Sequence, residues 1–192
     1  MELLNVAAWL PCTEVEGPGR RAAVWLQGCD KRCIGCCNPE FLKFVERNVV
    51  SAESVAQQIL EAKRDFDIEG VTFLGGEPLL QAKGLGLVAE IASSAGLTVM
   101  IFTGYTMSEI EAINLPGIGR LLQHTDVLVD GPYESTSLDG YRNWVGSTNQ
   151  RFVYLSDRYD ATIEQAHTAT REVEWRIAAD GRISVNGWPC SV

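Results

Sequence analysis

Apolar residues fall along this chain into short unbroken runs separated by amphipathic stretches. Ala22 to Gln27 (AAVWLQ), Gly70 to Leu74 (GVTFL), Leu97 to Phe102 (LTVMIF) and Asp126 to Val129 (DVLV) are such runs. Their length and their aromatic and β-branched content predict strands. The lack of polar alternation predicts strands covered on both faces, as in a parallel sheet. Ser51 to Arg64 opens on Ser-Ala-Glu-Ser and sets Val55, Ile59 and Leu60 on one side, which predicts a helix. Leu79 to Ala95 predicts a second helix, weakened by Gly84 and Gly86. Met107 to Ile113 predicts a short third one, entered through Thr106 or Ser108 as cap. Residues 1–20 show no clean period and end in the turn-forming Glu16-Gly17-Pro18-Gly19.

Beyond Gln150 the pattern changes. Arg151 to Leu155 predicts another strand, and Glu172 to Ile177 and Arg182 to Val185 flank Ala-Ala-Asp-Gly, a hairpin turn. No internal repeat and no low-complexity segment is present. Alternating strands and helices predict an α/β protein. The C-terminal ends of the four strands carry Cys29, then Gly75 to Pro78, then Thr103-Gly104, then Asp130. Parallel α/β sheets bind ligands at those ends, so four separate motifs are expected on one rim.

Composition narrows the function classes. The formal net charge of -9 argues against nucleic acid or an anionic membrane surface as the main partner. No run approaches the ~20 apolar residues of a membrane-spanning helix. The N-terminal MELLNVAAWLPC carries Glu2, lacks a basic leader and has only a short apolar run, so it is not expected to be an export signal. A cytoplasmic location is therefore expected. In that compartment thiols stay reduced, and clustered cysteines point to metal or catalysis before disulfides. Of six cysteines, Cys29, Cys33, Cys36 and Cys37 fall within nine residues.

Cys29, Cys33 and Cys36 are spaced C-x3-C-x2-C. Three thiolates on a short loop can hold three irons of a cubane cluster. An electron carrier normally uses four, so one iron corner is left open to a ligand, the logic also seen at catalytic zinc. Zinc itself is the competing occupant, but paired C-x-x-C knuckles and a nearby His are missing; His124 and His167 are distant. Cys37 competes with Cys36 as third ligand, and the spacing selects Cys36. Cys12 and Cys190 are expected to be simple thiols, and Trp9, Trp25, Trp144, Trp175, Trp188 and Tyr105 to be packing residues.

The C-x3-C-x2-C spacing resembles the radical S-adenosylmethionine superfamily. The fuller run Gly17-Pro18-Gly19-Arg20, Trp25-Leu26-Gln27-Gly28-Cys29 and Cys33-Ile34-Gly35-Cys36-Cys37-Asn38-Pro39-Glu40 is similar to the activating enzymes of glycyl radical proteins, above all those of anaerobic ribonucleotide reductase. Leu74 to Leu79, Phe102 to Thr106, Val127 to Tyr133 and Gly146 to Gln150 agree with the same family in the same order. Cys37 stands where the family usually has an aromatic or His, and Val145 where it commonly has Arg.

The resemblance implies an incomplete, open parallel β/α barrel with helices outside, over residues 1–155; residues 156–192 run on past the point where such activators tend to stop, as a C-terminal extension carrying the small β-hairpin. It implies a 4Fe-4S cluster on Cys29, Cys33 and Cys36, and S-adenosylmethionine chelating the open iron. Gly75, Gly76, Glu77 and Pro78 are expected to hold the methionyl amine, Thr103 and Asp130 the ribose and methionyl end, and Gly35 and Cys37 to lie against the adenine or the cluster through their backbones. The activity implied is reductive cleavage of S-adenosylmethionine to a 5′-deoxyadenosyl radical that takes hydrogen from a glycine of a large partner enzyme. A flavodoxin- or ferredoxin-type protein is the electron donor implied. A biosynthetic radical enzyme acting on a peptide or small metabolite, and an electron-transfer module without radical chemistry, are the alternatives.

Overall fold

A computed structural model describes residues 1–165 and 172–187; His167, Trp188 and Cys190 lie outside these. The strands are β1 (Leu3–Thr13), β2 (Arg21–Leu26), β3 (Val49–Ser51), β4 (Gly70–Gly75), β5 (Thr98–Phe102), β6 (Val127–Asp130), β7 (Arg151–Tyr154), β8 (Val173–Ile177) and β9 (Ile183–Gly187). The helices are α1 (Ala52–Phe66), α2 (Ala82–Ser94), α3 (Met107–Ala112) and α4 (Ile118–Gln123).

Seven strands form one sheet in the order β3-β1-β2-β4-β5-β6-β7. The four runs that lack polar alternation are its centre: β2, β4, β5 and β6 pair in parallel. The edges depart from the expected all-parallel arrangement, because β1 pairs antiparallel with β2 and β3, and β7 antiparallel with β6. The sheet is not closed, since its outer strands β3 and β7 do not meet.

The strands are covered on both faces, but helices cover only one. Ala22, Val24, Leu26, Val71, Phe73, Val99, Ile101 and Leu128 pack against Val55, Ile59, Leu85, Val88, Ile110 and Leu121 of the four helices. The alternate side chains face loops instead. Ala23, Trp25 and Leu74 meet Phe41, and Met100, Val127 and Val129 meet Val145. Helix starts follow local chemistry. Ser51 caps α1 by accepting from the Ser54 N–H at 3.1 Å. Thr106 and Glu109 form a capping box on α3. Gly84, unfavourable in a helix, is where β1 comes close: a Cβ there would stand 2.8 Å from Leu4 Cδ2.

Arg21 is wholly buried at the start of β2. Its guanidinium donates to Thr72 Oγ1 (2.8 Å), Thr98 Oγ1 (2.9 Å), Val71 O (2.8 Å) and Pro18 O (3.0 Å), binding together the N-terminal ends of the parallel strands. The β8–β9 hairpin docks near this end through its polar side chains. Glu174 accepts from Thr13 Oγ1 at 2.9 Å, Arg176 donates to Cys12 O at 2.9 Å, and Gly187 N–H donates to Glu16 Oε1 at 2.8 Å. Thr13 pairs with Arg21, so the hairpin sits at the end of the sheet opposite Cys29.

Candidate functional site

The site begins where β2 stops. Gly28 has φ +96° and donates to Phe41 O at 2.8 Å, and the next N–H, of Cys29, donates to Leu42 O at 3.1 Å. Cys29 is thereby fixed and buried; Cys33 and Cys36 are half-buried and Cys37 is exposed. Burial pushes the Cys29 and Cys33 thiols up, and backbone N–H groups oppose it, those of Arg32 and Lys31 at Cys29 and that of Tyr133 at Cys33. A hydrogen bond from Cys37 pulls the Cys36 thiol down to about 6, and the Asn38 N–H donates to Cys36 Sγ at 3.4 Å.

Each of the three thiols in the C-x3-C-x2-C spacing thus faces at least one backbone donor, the environment that thiolates of an iron–sulfur cluster require. Among the described residues no three His, Cys, Asp or Glu side chains converge as one metal ion demands. Three thiols on one short loop match the donor chemistry of an iron–sulfur cluster.

The end of β4 lies directly on this loop. Gly75 has φ +111°, and a Cβ on it would stand 2.5 Å from Leu26 N; one on Gly76 would stand 2.3 Å from Gly28 O. Gly76 N–H donates to Leu26 O and Glu77 N–H to Gly28 O, both at 2.8 Å. The two glycines therefore allow β4 to close on β2. Glu77 turns inward and is 1% exposed. Its carboxylate accepts from Thr103 Oγ1 (2.8 Å), Gly104 N (2.8 Å) and Leu79 N (3.0 Å). Of about four acceptor positions on a carboxylate, one on Oε2 is left. Burial outweighs these bonds and pushes the carboxyl up to about 7. Pro78 is buried at the head of the short 3-10 turn that leads into α2.

Beyond β5, Thr103 is buried with its hydroxyl engaged by Glu77, and Tyr105 OH donates to Asp30 Oδ2 at 2.5 Å. Lys31 lies 3.9 Å over the Tyr105 ring and donates to Glu109 Oε1 at 2.8 Å, holding that carboxyl down to about 2. Asp130, at the end of β6, is wholly buried and accepts from Met107 N (2.7 Å) and from Arg151 Nε (3.0 Å) and Nη2 (2.5 Å). Gly35 has φ +78°, and a Cβ on it would meet Tyr133 Cε1 at 3.4 Å.

The fold thus brings the cysteine loop, Gly75 to Pro78 and Thr103 into one connected cluster of contacts. Asp130 stands at its own strand end, its carboxylate committed to α3 and β7. Sequence reasoning missed the pairing of Asp30 and Lys31 with Tyr105 and Glu109, and the approach of Tyr133. A Lys-Arg pair inside the cysteine loop and an aromatic at a strand end were the only signals.

A family model described as a 4Fe-4S single cluster domain matches residues 15–153. The chain belongs to this family. Over 163 residues it is 29% identical to the anaerobic ribonucleoside-triphosphate reductase-activating protein of Pasteurella multocida (strain Pm70), covering 81% of this chain and 100% of the relative. The corresponding protein of Enterobacteria phage T4 is 29% identical over 152 residues, 77% of this chain and 92% of its own. The pyruvate formate-lyase-activating enzyme of Clostridium pasteurianum is 35% identical over 142 residues, 72% of this chain and 56% of its own. This 4Fe-4S single cluster protein is a radical S-adenosylmethionine enzyme of the activating type, and its cofactors are a 4Fe-4S cluster and S-adenosylmethionine. No helix among its described residues is long and apolar enough to cross a membrane.

Proposed function

We propose that this enzyme activates a glycyl radical protein by taking a hydrogen from one of its glycines. The observation that carries the proposal is the direct seat of the Gly75-Gly76-Glu77 turn on the cysteine loop, through the Gly76–Leu26 and Glu77–Gly28 hydrogen bonds. A turn hydrogen-bonded to the strand end that carries Cys29 would hold a ligand next to a cluster on the three thiols. Bound there and reduced, the cluster and S-adenosylmethionine supply a 5′-deoxyadenosyl radical, the hydrogen-abstracting species.

Cys29, Cys33 and Cys36 hold the cluster. Gly75, Gly76, Glu77 and Pro78 would hold the methionyl amine, with the buried Glu77 carboxyl bracing the turn through Leu79, Thr103 and Gly104. Thr103 orients Glu77 and faces the ribose side. Asp130 bounds the far end of the site through Arg151, and the backbones of Gly35 and Cys37 would lie against the adenine or the cluster. No general acid or base is needed, so the chain's contribution is position and exclusion of water. The finer architecture in this proposal is a partial barrel over 1–155 with a C-terminal extension over 156–192. Its open side suits a protein loop as substrate. A low-potential flavodoxin or ferredoxin is the donor, and the cytoplasm the location, without nucleic acid or membrane as partner.

Anaerobic reconstitution with iron and sulfide, then dithionite and S-adenosylmethionine, tests the reading. It predicts 5′-deoxyadenosine, carrying deuterium when a partner protein labelled at its glycines is added. 5′-Deoxyadenosine that stays unlabelled with every glycyl radical partner tried would point to biosynthetic chemistry on a smaller substrate. Its absence would leave an electron-transfer module.

A further inference from the structure

We propose that Ser147, Asn149 and Gln150 are positioning residues for the cluster, holding the 131–135 loop against the cysteine loop at Gly35. The inference rests on the three-thiolate cluster site described above.

The 131–135 loop leaves β6 at Gly131, where φ is +102°. It runs alongside the cluster ligands. Gly35 faces it so closely that an added Cβ would lie 3.4 Å from Tyr133 Cε1 and 3.6 Å from Ser135 Cβ. The loop contains no strand or helix of its own, so something else must fix it at this distance.

The 146–150 segment does so, one residue at a time. Gln150 Nε2 donates to Gly131 O at 3.4 Å, Asn149 Nδ2 donates to Pro132 O at 2.7 Å, and Ser147 Oγ accepts from Glu134 N at 3.0 Å. These three contacts bracket Tyr133. Its ring lies on Gly146, where a Cβ would come within 2.8 Å of Cδ2. The segment is itself braced: Gln150 Oε1 accepts from Gly146 N at 2.8 Å and Ser147 N at 3.2 Å, and Arg142 Nη1 donates to Gln150 O at 2.9 Å.

Two unfavourable features, one just ahead of the segment and one within it, mark it as held for a reason beyond its own stability. Trp144, a bulky residue, has φ +58°. Asn149 Oδ1 is a buried acceptor without a hydrogen-bond partner among the described residues. The Pro132 carbonyl fixes which way the amide points, so exchanging its oxygen and nitrogen would lose the one bond it makes. Strain and unsatisfied polar groups gather where the surroundings over-determine a functional geometry. Hydrogen bonds to the sulfurs and solvent exposure set the reduction potential of a cluster, and a loop packed on the cysteine loop governs both. Loosening the loop should shift the potential.

The test compares Ser147→Ala, Asn149→Ala and Asn149→Asp with the control Thr148→Ala, whose side chain is exposed and makes no hydrogen bond among the described residues. Each protein is reconstituted anaerobically, its iron content measured, and its midpoint potential read by a redox titration followed by electron paramagnetic resonance. The expected result is retained iron and a shifted potential for the Ser147 and Asn149 variants, with Thr148→Ala at the parental value and Ser147→Thr restoring it. Should an Asn149 variant melt before reconstitution, Ser147→Ala decides, because it removes a single hydroxyl. A parental potential in Ser147→Ala with iron retained overturns the proposal. The titration needs no partner protein, so failure of deuterium transfer to appear in the activase assay would leave this result standing.

Discussion

Glu77 sets a carboxyl group in the seam between the cysteine loop and the β5–α3 turn, with three donors on it and almost no solvent. Its proton is held to about pH 7, against 4.5 for an ordinary glutamate. Below 4.5 the group is protonated in folded and unfolded chains alike, and it costs nothing in relative terms. Between 4.5 and about 7 the unfolded chain has released the proton while the folded one keeps it, so stability falls as pH rises, by about 3 kcal/mol over the window. Glu16, raised by burial to about 6, adds a loss of the same sign over the lower part of that range. Urea unfolding of the cluster-free protein is therefore expected to give lower stability at pH 7.5 than at pH 5. Glu77→Gln should flatten most of that slope and leave the Glu16 share. An unchanged slope in Glu77→Gln would mean the carboxyl is ionised when folded. At this scale the cysteines were legible because their spacing is itself chemistry. The burial of Glu77 and the Asp30–Tyr105 and Lys31–Glu109 contacts were not, because they join residues far apart in the chain.

Individual elements were legible where local chemistry decides them. Thr106 and Glu109, three apart, write the capping box of α3 into the sequence, and the structure forms it. Replacing Thr106 with Ala should cost about 1 kcal/mol, read as a lower thermal midpoint, while Ser108→Ala should leave α3 in place because that hydroxyl is not the cap. Equal losses in both variants would contradict the assignment. The strand β1 was not legible. Its pairing with β2 shifts register between Val6 and Ala8 and again between Leu10 and Thr13, so no period of two survives along it. Pro11 obscures it further. Helix α4 was hidden by Gly117, its left-handed cap, and by Gly119 within its first turn. The hairpin turn could be read from Ala-Ala-Asp-Gly, but not the face by which it docks. Trp175, Ile177, Ile183 and Val185 point outward, while Glu174, Arg176 and Asn186 bind the main sheet.

Across the whole molecule, the polarity of the sheet separates chemistry from support. The C-terminal ends of β2, β4 and β5 meet at the cysteine loop, and β6 ends beside them. The opposite end is bound by Arg21 and by the docked hairpin. That convergence could be read from four apolar runs each ending in a distinctive residue. The antiparallel edges and the one-sided helical layer could not, because they depend on how long connections such as 131–150 fold back over the sheet. The account turns on three thiolates leaving one iron corner free for S-adenosylmethionine. Its most direct test is electron paramagnetic resonance of the reduced, reconstituted protein with and without S-adenosylmethionine, in the parent and in Cys37→Ala. A cofactor-dependent change in the spectrum, the same in both proteins, is predicted. A spectrum indifferent to the cofactor, or one in which Cys37→Ala alone creates the response, would mean that a fourth thiolate already fills the corner.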